Sequence, residues 1–436
     1  MRNKRGRNKS HNKNKNILQT LFIISIILII FFLTVIINQI ITKNNNSNFN
    51  VAISDSNTVE NTQIEGNTIN NTIQNETNEL KNHEVSNPDI TFSMAVTGDI
   101  MCHNTIYMDA YNSSKKEYDF SYIFEDIKFH IQTADIAIGN LETTFAGSKV
   151  GYSSYPTFNT PEILAKNLKK IGFDVLSTAN NHSLDKGYNG LVSTIKYLDK
   201  ADLSHTGTYA SKEDSEKILI KNVKGVKVAF LSFTYGTNGI PVPKDKEYCI
   251  NLNDKKTISK QLKLAKEQEP DVICVSMHWG NEYQTKQNST QENLADFLFE
   301  NGADIILGNH SHVPQPMEKR TIKLENGTEK EGFVIYSLGN FLADQVYKYT
   351  RDSAILNLKI TKNGETGKIS IDSATYTPIY IYKDRSKSKQ KFKLIDIEKT
   401  IEAYDAEYDT SIGKTMYNTL KTELKNIKNI IGKEIK

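Results

Sequence analysis

The stretch ITFSMAVTGD, residues 90–99, decides how the rest of the chain is read. It is mostly apolar or β-branched, and it closes on Gly98-Asp99, a turn pair that leaves one carboxylate at the tip of a strand. The same pattern recurs downstream. The short apolar runs DIAIGN (135–140), FDVLSTAN (173–180), VKVAFLSF (226–233), DVICVSMHW (271–279), ADIILGN (303–309) and FVIYSLGN (333–340) read as strands. Helical stretches at 161–171, 187–200, 254–268 and 290–301 lie between several of them. Strands alternating with helices argue for an α/β layered domain around a buried sheet. ILIKNVKGVKVAF, turning at Lys224-Gly225, and TIKLENGTEKEGFVIY, turning at Asn326-Gly327, read as hairpins, so the sheets are expected to be mixed.

Most of these strands end in polar side chains that can ligate a metal: Asp99 with His103 behind it, Asn140 with Glu142, Asn180-Asn181-His182, His278, and His310 with His312. In open α/β sheets the ligand crevice lies beyond the carboxyl ends of the strands. Asp, Glu, Asn and His delivered to one rim suit two divalent ions such as Mn, Fe or Zn. A shared carboxylate can hold such a pair about 3.5–4 Å apart, activating a water and stabilising a leaving oxygen. Taken singly, each piece has a plainer reading. Gly98-Asp99 is an ordinary turn, Asn180-Asn181-His182-Ser183 a helix N-cap, and His278 beside Trp279 a packed core histidine. His103 and His205 have only proximity to recommend them. His310 and His312, two apart at a strand end, share a face and can chelate.

The N-terminal part has a different character. Residues 1–15 hold seven basic residues and no acid, so the formal charge of +3 leaves the remainder at −4. A mildly acidic body gives no footing for nucleic acid. Residues 16–42 carry no charge, and LFIISIILIIFFLTVII (21–37) is long enough to cross a bilayer core, which takes about 20 apolar residues. No small-residue cleavage site follows it. The expected organisation is a basic cytoplasmic head (1–16), a single transmembrane anchor (17–42), a flexible polar linker (43–88), the main domain (89–382) and a C-terminal helical extension (383–436). Positive charge before the anchor keeps the N-terminus cytoplasmic and exports the rest, so the expected location is the cell membrane with an extracytoplasmic domain. In the tail, 353–361 and 368–382 read as strands, KDRSKSKQK (383–391) as an exposed loop, and 393–406 and 412–432 as helices. Cys102, Cys249 and Cys274 are too scattered for a disulfide framework or a zinc ribbon.

Six blocks carry a resemblance: VTGDIM (96–101), AIGNLETTF (137–145), STANNHSLDKG (177–187), SMHWGNEY (276–283), GADIILGNHSHVPQ (302–315) and YSLGNFLADQ (336–345). Together they resemble the CapA family of poly-γ-glutamate capsule biosynthesis proteins, within the calcineurin-like metallophosphoesterase superfamily. The resemblance implies a metallophosphoesterase-like four-layer α/β/β/α sandwich with two metal ions. It implies metal ligands at Asp99, Glu142, Asn181, His278, His310 and His312, and a catalytic His182 near the substrate oxyanion or leaving group. His103, Asn140, Asn180, Asp185 and Asn340 would stand around them. Two positions depart from the superfamily pattern: Met101 stands where Asp-x-His has its histidine, and Glu142 stands where an Asp is usual. The functions this implies are a surface-tethered metal-dependent hydrolase acting on an anionic envelope polymer, a non-catalytic accessory of a membrane polymer synthase, or a surface phosphoesterase unrelated to capsule.

Overall fold

The computed structural model of the chain describes residues 87–436, apart from 324–326 and 328. The basic head, the expected anchor and nearly all of the linker lie outside the described residues. Among those described, no helix is long and apolar enough to cross a membrane.

The first half runs β1 (Ile90–Ile100), α1 (Asn104–Ala110), the short ribbon β2 (Tyr111–Asn112) and β3 (Glu117–Tyr118), α2 (Lys128–Gln132), β4 (Ile136–Leu141), α3 (Ile163–Lys170), β5 (Val175–Ser177), α4 (Gly187–Lys200) and β6 (Ser204–Thr206). It continues with α5 (Lys212–Ser215), β7 (Leu219–Val223), β8 (Val226–Thr234), α6 (Lys255–Lys266), β9 (Val272–His278), α7 (Ser289–Glu300) and β10 (Ile305–Asn309). The last part holds β11 (Met317–Lys323), β12 (Glu329–Ile335), β13 (Asn340–Leu342), β14 (Asp352–Lys362), β15 (Ile369–Lys383), β16 (Phe392–Asp396), α8 (Ile397–Asp405) and α9 (Gly413–Ile431).

Two mixed sheets result. The larger has the order β16-β15-β14-β1-β4-β5-β6, with β13 also on β1, and the smaller has the order β11-β12-β10-β9-β8-β7. Parallel pairing joins β1 to β4 to β5 to β6 in one sheet and β8 to β9 to β10 to β12 in the other. Both expected hairpins form, as β7–β8 and β11–β12. Lys224 and Gly225 both adopt positive φ at the first turn, which suits the twist of the strands it joins.

Alternation along the strands sorts the apolar side chains into three layers. Phe92, Met94 and Val96 of β1 meet Phe230, Cys274, Leu307 and Phe333 of the smaller sheet in the layer between the sheets. Ala95, Ile100, Ala137 and Leu176 face Ile106, Ile131, Leu164 and Leu168 on helices outside the larger sheet. Leu231, Val275 and Ile306 face Ile258, Leu262, Leu294 and Leu298 outside the smaller one. The order of layers is therefore helix, sheet, sheet, helix. The larger sheet is also the wider, and Leu420, Ile427 and Ile431 of α9 join the inner layer with Leu358, Ile371 and Ile395.

Two elements differ from the sequence reading. FVIYSLGN (333–340), read as one strand, is split: β12 ends at Ile335 in the smaller sheet, and Asn340 opens β13 on β1 of the larger one. Residues 393–396, read as the start of a helix, belong instead with Phe392 to β16, which pairs with β15. The helix begins only after Asp396, whose side chain accepts the Lys399 N–H as an N-cap. The three cysteines are free and buried.

Phe230 and Leu307 are fully buried between the sheets, while Phe129 is 69% exposed. Phe230→Ala is expected to cost about 3–5 kcal/mol and Leu307→Ala about 2–5 kcal/mol in denaturant unfolding. Phe129→Ala is expected to change stability by less than about 0.5 kcal/mol.

Candidate metal centre

Parallel strands of both sheets end at one rim, and the candidate ligands stand there. Asp99 lies near the end of β1, and Asn140 and Glu142 at the end of β4. Asn181 and His182 follow β5, His278 closes β9, and His310 and His312 follow β10. The pairing of β1 with β4 is irregular between Val96 and Asp99, and such a break re-aims a side chain beside a site. Gly98 is required here, because a Cβ on it would lie 1.9 Å from the Gly339 carbonyl oxygen. That same carbonyl accepts the Asp99 N–H at 3.0 Å, so the last turn of β1 is pinned.

The ligand atoms form two groups that share one residue. Glu142, His278 and His310 can place ligand atoms within 4.8 Å of one another, and so can Asp99, Glu142 and His312. Asp99 and Glu142 are fully buried. No hydrogen-bond donor reaches either Glu142 oxygen, nor does His310 Nδ1 have a partner, among the described residues. A buried carboxylate without a donor is costly unless a cation meets it. Carboxylate and imidazole atoms converging on two points, with both oxygens of the shared Glu142 and Nδ1 of His310 unpartnered among the described residues, fit a pair of divalent ions.

The neighbours hold these groups in place. Asn140 Nδ2 donates to Asp99 Oδ1 at 2.8 Å, and Asp99 Oδ2 accepts the His310 N–H at 3.1 Å. His310 has φ of 94°, a left-handed conformation that costs a non-glycine residue about 1–3 kcal/mol; its bond to Asp99 helps to hold it there. Asn181 Oδ1 lies 2.7 Å from His278 Nε2, and Asn340 Oδ1 lies 3.1 Å from His312 Nδ1. Asn180 Nδ2 donates to the Leu141 carbonyl at 2.7 Å, and its Oδ1 accepts the His182 N–H at 3.1 Å. Asn180-Asn181-His182 is thus a turn ahead of α4, and none of the three caps the helix.

His182 stands beside the ligands, 4% exposed, with Nδ1 2.7 Å from Asp185 Oδ2. Asp185 Oδ2 also accepts the Phe158 N–H at 2.6 Å, which fixes the carboxylate. Burial pulls the His182 imidazole down, but the hydrogen bond to Asp185 and the charges of Glu142 and Asp185 outweigh it and raise it. Burial pulls His312 down too, yet Glu142 and Asp99 lift it to about 9. Burial, joined by the charges of His278, His312 and His182, drives His310 well below its usual range, so it is neutral and able to ligate. Burial raises the Asp99 carboxyl, but the His312 hydrogen bond and the charges of His278 and His312 outweigh this and lower it.

His103 does not join the ligands. Its Nδ1 accepts the Asp344 N–H at 3.2 Å, and it faces a cleft of about 400 Å³ shared with Met101, His182 and His312. Burial lowers its imidazole to about 4. His205 pairs with Asp199 at 3.4 Å. Two residues not singled out from the sequence stand over the centre. The Tyr235 ring lies 4.5 Å from that of His310, and Glu282 Oε1 lies 3.9 Å from His312 Nε2. Tyr235 follows the end of β8, so the strand-end pattern could have found it; Glu282 lies in the SMHWGNEY block.

The family description "Bacterial capsule synthesis protein PGA_cap" matches residues 93–345, which hold every one of these ligands. The chain belongs to this family. Curated relatives include the capsule biosynthesis protein CapA of Bacillus anthracis, 32% identical over 280 residues that cover 62% of this chain and 64% of that protein. They also include the PGA biosynthesis protein CapA of Bacillus subtilis, 33% identical over 317 residues covering 69% of this chain and 77% of that protein. The match to the first thus spans less than two thirds of the relative's length. Among solved structures, a calcineurin-like phosphoesterase of Bacillus subtilis aligns with a TM-score of 0.41 at 17% identity, over 77% of this chain and 100% of that one.

Because Glu142 serves both groups, Glu142→Gln is expected to empty both positions. His310→Ala and His312→Ala should each weaken one. Metal analysis of the purified chain after equilibration with Mn, Fe or Zn reads this directly, with about two ions per chain in the wild type and fewest in Glu142→Gln.

Proposed function

We propose that this chain is a membrane-anchored, extracytoplasmic metal-dependent hydrolase-like protein acting in the synthesis, release or anchoring of poly-γ-glutamate. The observation that carries this reading is the shared, donor-free Glu142 carboxylate with the His182–Asp185 pair beside it. Family membership and the names of the Bacillus relatives support the polymer. Four elements, the centre, the apolar run at 21–37, the basic head before it and the polar linker after it, supply the rest.

Two divalent ions, when bound, would polarise an ester or amide oxygen and lower the pKa of a water. The protein's share is positioning and proton handling. Asp99, Glu142, Asn181, His278, His310 and His312 would hold the ions. With Nδ1 engaged by Asp185, His182 keeps Nε2 to give a proton to the leaving group, and Asp185 fixes ring and tautomer. Tyr235 leans over His310, with ring centres 4.5 Å apart, at the open side of the centre.

One observation favours a second reading, a non-catalytic accessory of a membrane polymer synthase. Met101, buried at the wall of the cleft, stands where the superfamily pattern has a ligating histidine, so β1 brings one ligand instead of two.

The readings separate on His182. His182→Ala is expected to lower hydrolysis of γ-glutamyl or phosphoester substrates about 10²–10⁴-fold while metal content stays near wild type. Asp185→Asn should fall between. In cells, the double variant His182→Ala, His310→Ala should abolish the polymer phenotype; polymer made at the normal level by this variant would leave only the accessory role.

The location has its own test. The full chain is expected in the membrane fraction, with its main domain open to protease added outside intact cells. Removal of residues 17–42 should release it.

A further inference from the structure

His103 lines the cleft over the centre beside His182 and His312, yet it belongs to neither group of candidate ligands. Its place is fixed from two sides. The His103 carbonyl accepts the Ile106 N–H at 2.9 Å and the Tyr107 N–H at 3.2 Å, which locks the residue to the first turn of α1. Its ring meets that of Phe158 edge-on with 5.3 Å between centres, and Phe158 meets the His182 ring in the same way at 4.8 Å. One phenyl ring thus sets two imidazoles on the cleft wall.

The tautomer of His103 follows from a backbone contact. The Asp344 N–H donates to His103 Nδ1 at 3.2 Å. A ring nitrogen that accepts carries no proton, so the neutral imidazole has its proton on Nε2. Asp344 is itself tied down: Thr105 Oγ1 donates to its carboxylate at 2.6 Å, and Lys383 and Arg351 pair with it. Burial, joined by the charges of His312, His182 and Lys383 and opposed by that of Asp344, keeps the ring neutral near neutral pH. Among the described residues Nε2 has no partner, and it is not one of the partnerless atoms sealed from solvent, so its N–H opens on the cleft.

The cleft has few other donors to offer. Its lining includes the carboxylates of Glu282 and Asp344 and no lysine or arginine. Gln345 Nε2 is turned to the Tyr283 hydroxyl at 3.5 Å. We propose that His103 is a catalytic hydrogen-bond donor whose Nε2–H holds an oxygen of the phosphoryl or acyl group under attack. This rests on the hydrolase reading above, in which His182 serves the leaving group. His103 transfers no proton; it stays neutral and stabilises the charge that gathers on that oxygen, from a position set before the substrate arrives. Where Met101 leaves β1 without a second ligand, the imidazole two residues on serves the substrate instead of an ion.

Inorganic phosphate is the probe. The full-length chain, solubilised and loaded with Zn, is titrated with phosphate by calorimetry as wild type, His103→Gln and His103→Phe. Glutamine keeps an N–H donor near the reach of Nε2 and loses the ring against Phe158, whereas phenylalanine keeps the ring and loses the donor. Phosphate affinity is expected to fall about 2–12-fold in His103→Phe and to stay within about twofold of wild type in His103→Gln, with equal Zn content in all three. In imidazole nitrogen NMR spectra of the wild type near neutral pH, the signal missing from His103→Phe should carry its proton on Nε2 and shift when phosphate is added. Equal affinity in wild type and His103→Phe, a loss in His103→Gln as large as that in His103→Phe, a proton on Nδ1, or no phosphate binding by the wild type overturns the proposal. The hydrolase reading fails on a different result: phosphate held through His103 with no turnover of γ-glutamyl or phosphoester substrates would sink that reading and leave His103 as the donor to a bound oxyanion.

Discussion

A carboxylate buried without a donor is the constraint around which this domain is organised. Among the described residues, Glu142 is fully buried and has no hydrogen bond to either oxygen. An isolated buried charge of this kind costs several kcal/mol even after relaxation. The surroundings compensate by bringing ligating groups close: His278 Nε2 lies 3.4 Å from Glu142, and His312 Nδ1 lies 3.4 Å from Asp99. The same arrangement that makes Glu142 tolerable places it where it could bridge two ions. Stability and any metal affinity would therefore be linked at one side chain.

The layered fold is what allows such a cluster. Three of its contributors, β1, β4 and β5, belong to one sheet, and two, β9 and β10, belong to the other. Parallel strands end on the same side, so ligands from each sheet converge once the sheets pack face to face. The inner layer of Phe92, Val96, Phe230, Leu307 and their neighbours sets that packing, and with it the distance between Asp99 and His310. The close approach of Gly98 to Gly339 then fixes the end of β1 against the chain that enters β13.

Much of this was legible in the residues. Periodicity located the strands, the turn pairs located the hairpins, and the metal-competent side chains at strand ends pointed to the rim. Long-range supports were harder to see. Asn340 has no chemistry of its own that announces a partner, and it meets His312 only because β13 lies on β1. Tyr235 and Glu282 act through position over the histidines, and position comes from the docking of two sheets. Residues 393–396 were misread because the apolar spacing of Phe392, Leu394, Ile395 and Ile397 suits a helix and a strand alike. The Asp396 cap, not the period, marks the change.

His310 donates its N–H to Asp99 across 211 residues of chain. A site assembled from segments so far apart does not exist in a partly folded chain, since loop closure over such separations precedes any contact that rewards it. Any metal capture at this centre would therefore come last, after both sheets are built and docked. The compartment in which the chain completes its folding decides which ions such a centre would meet first, and that supply, more than intrinsic affinity, would select among them.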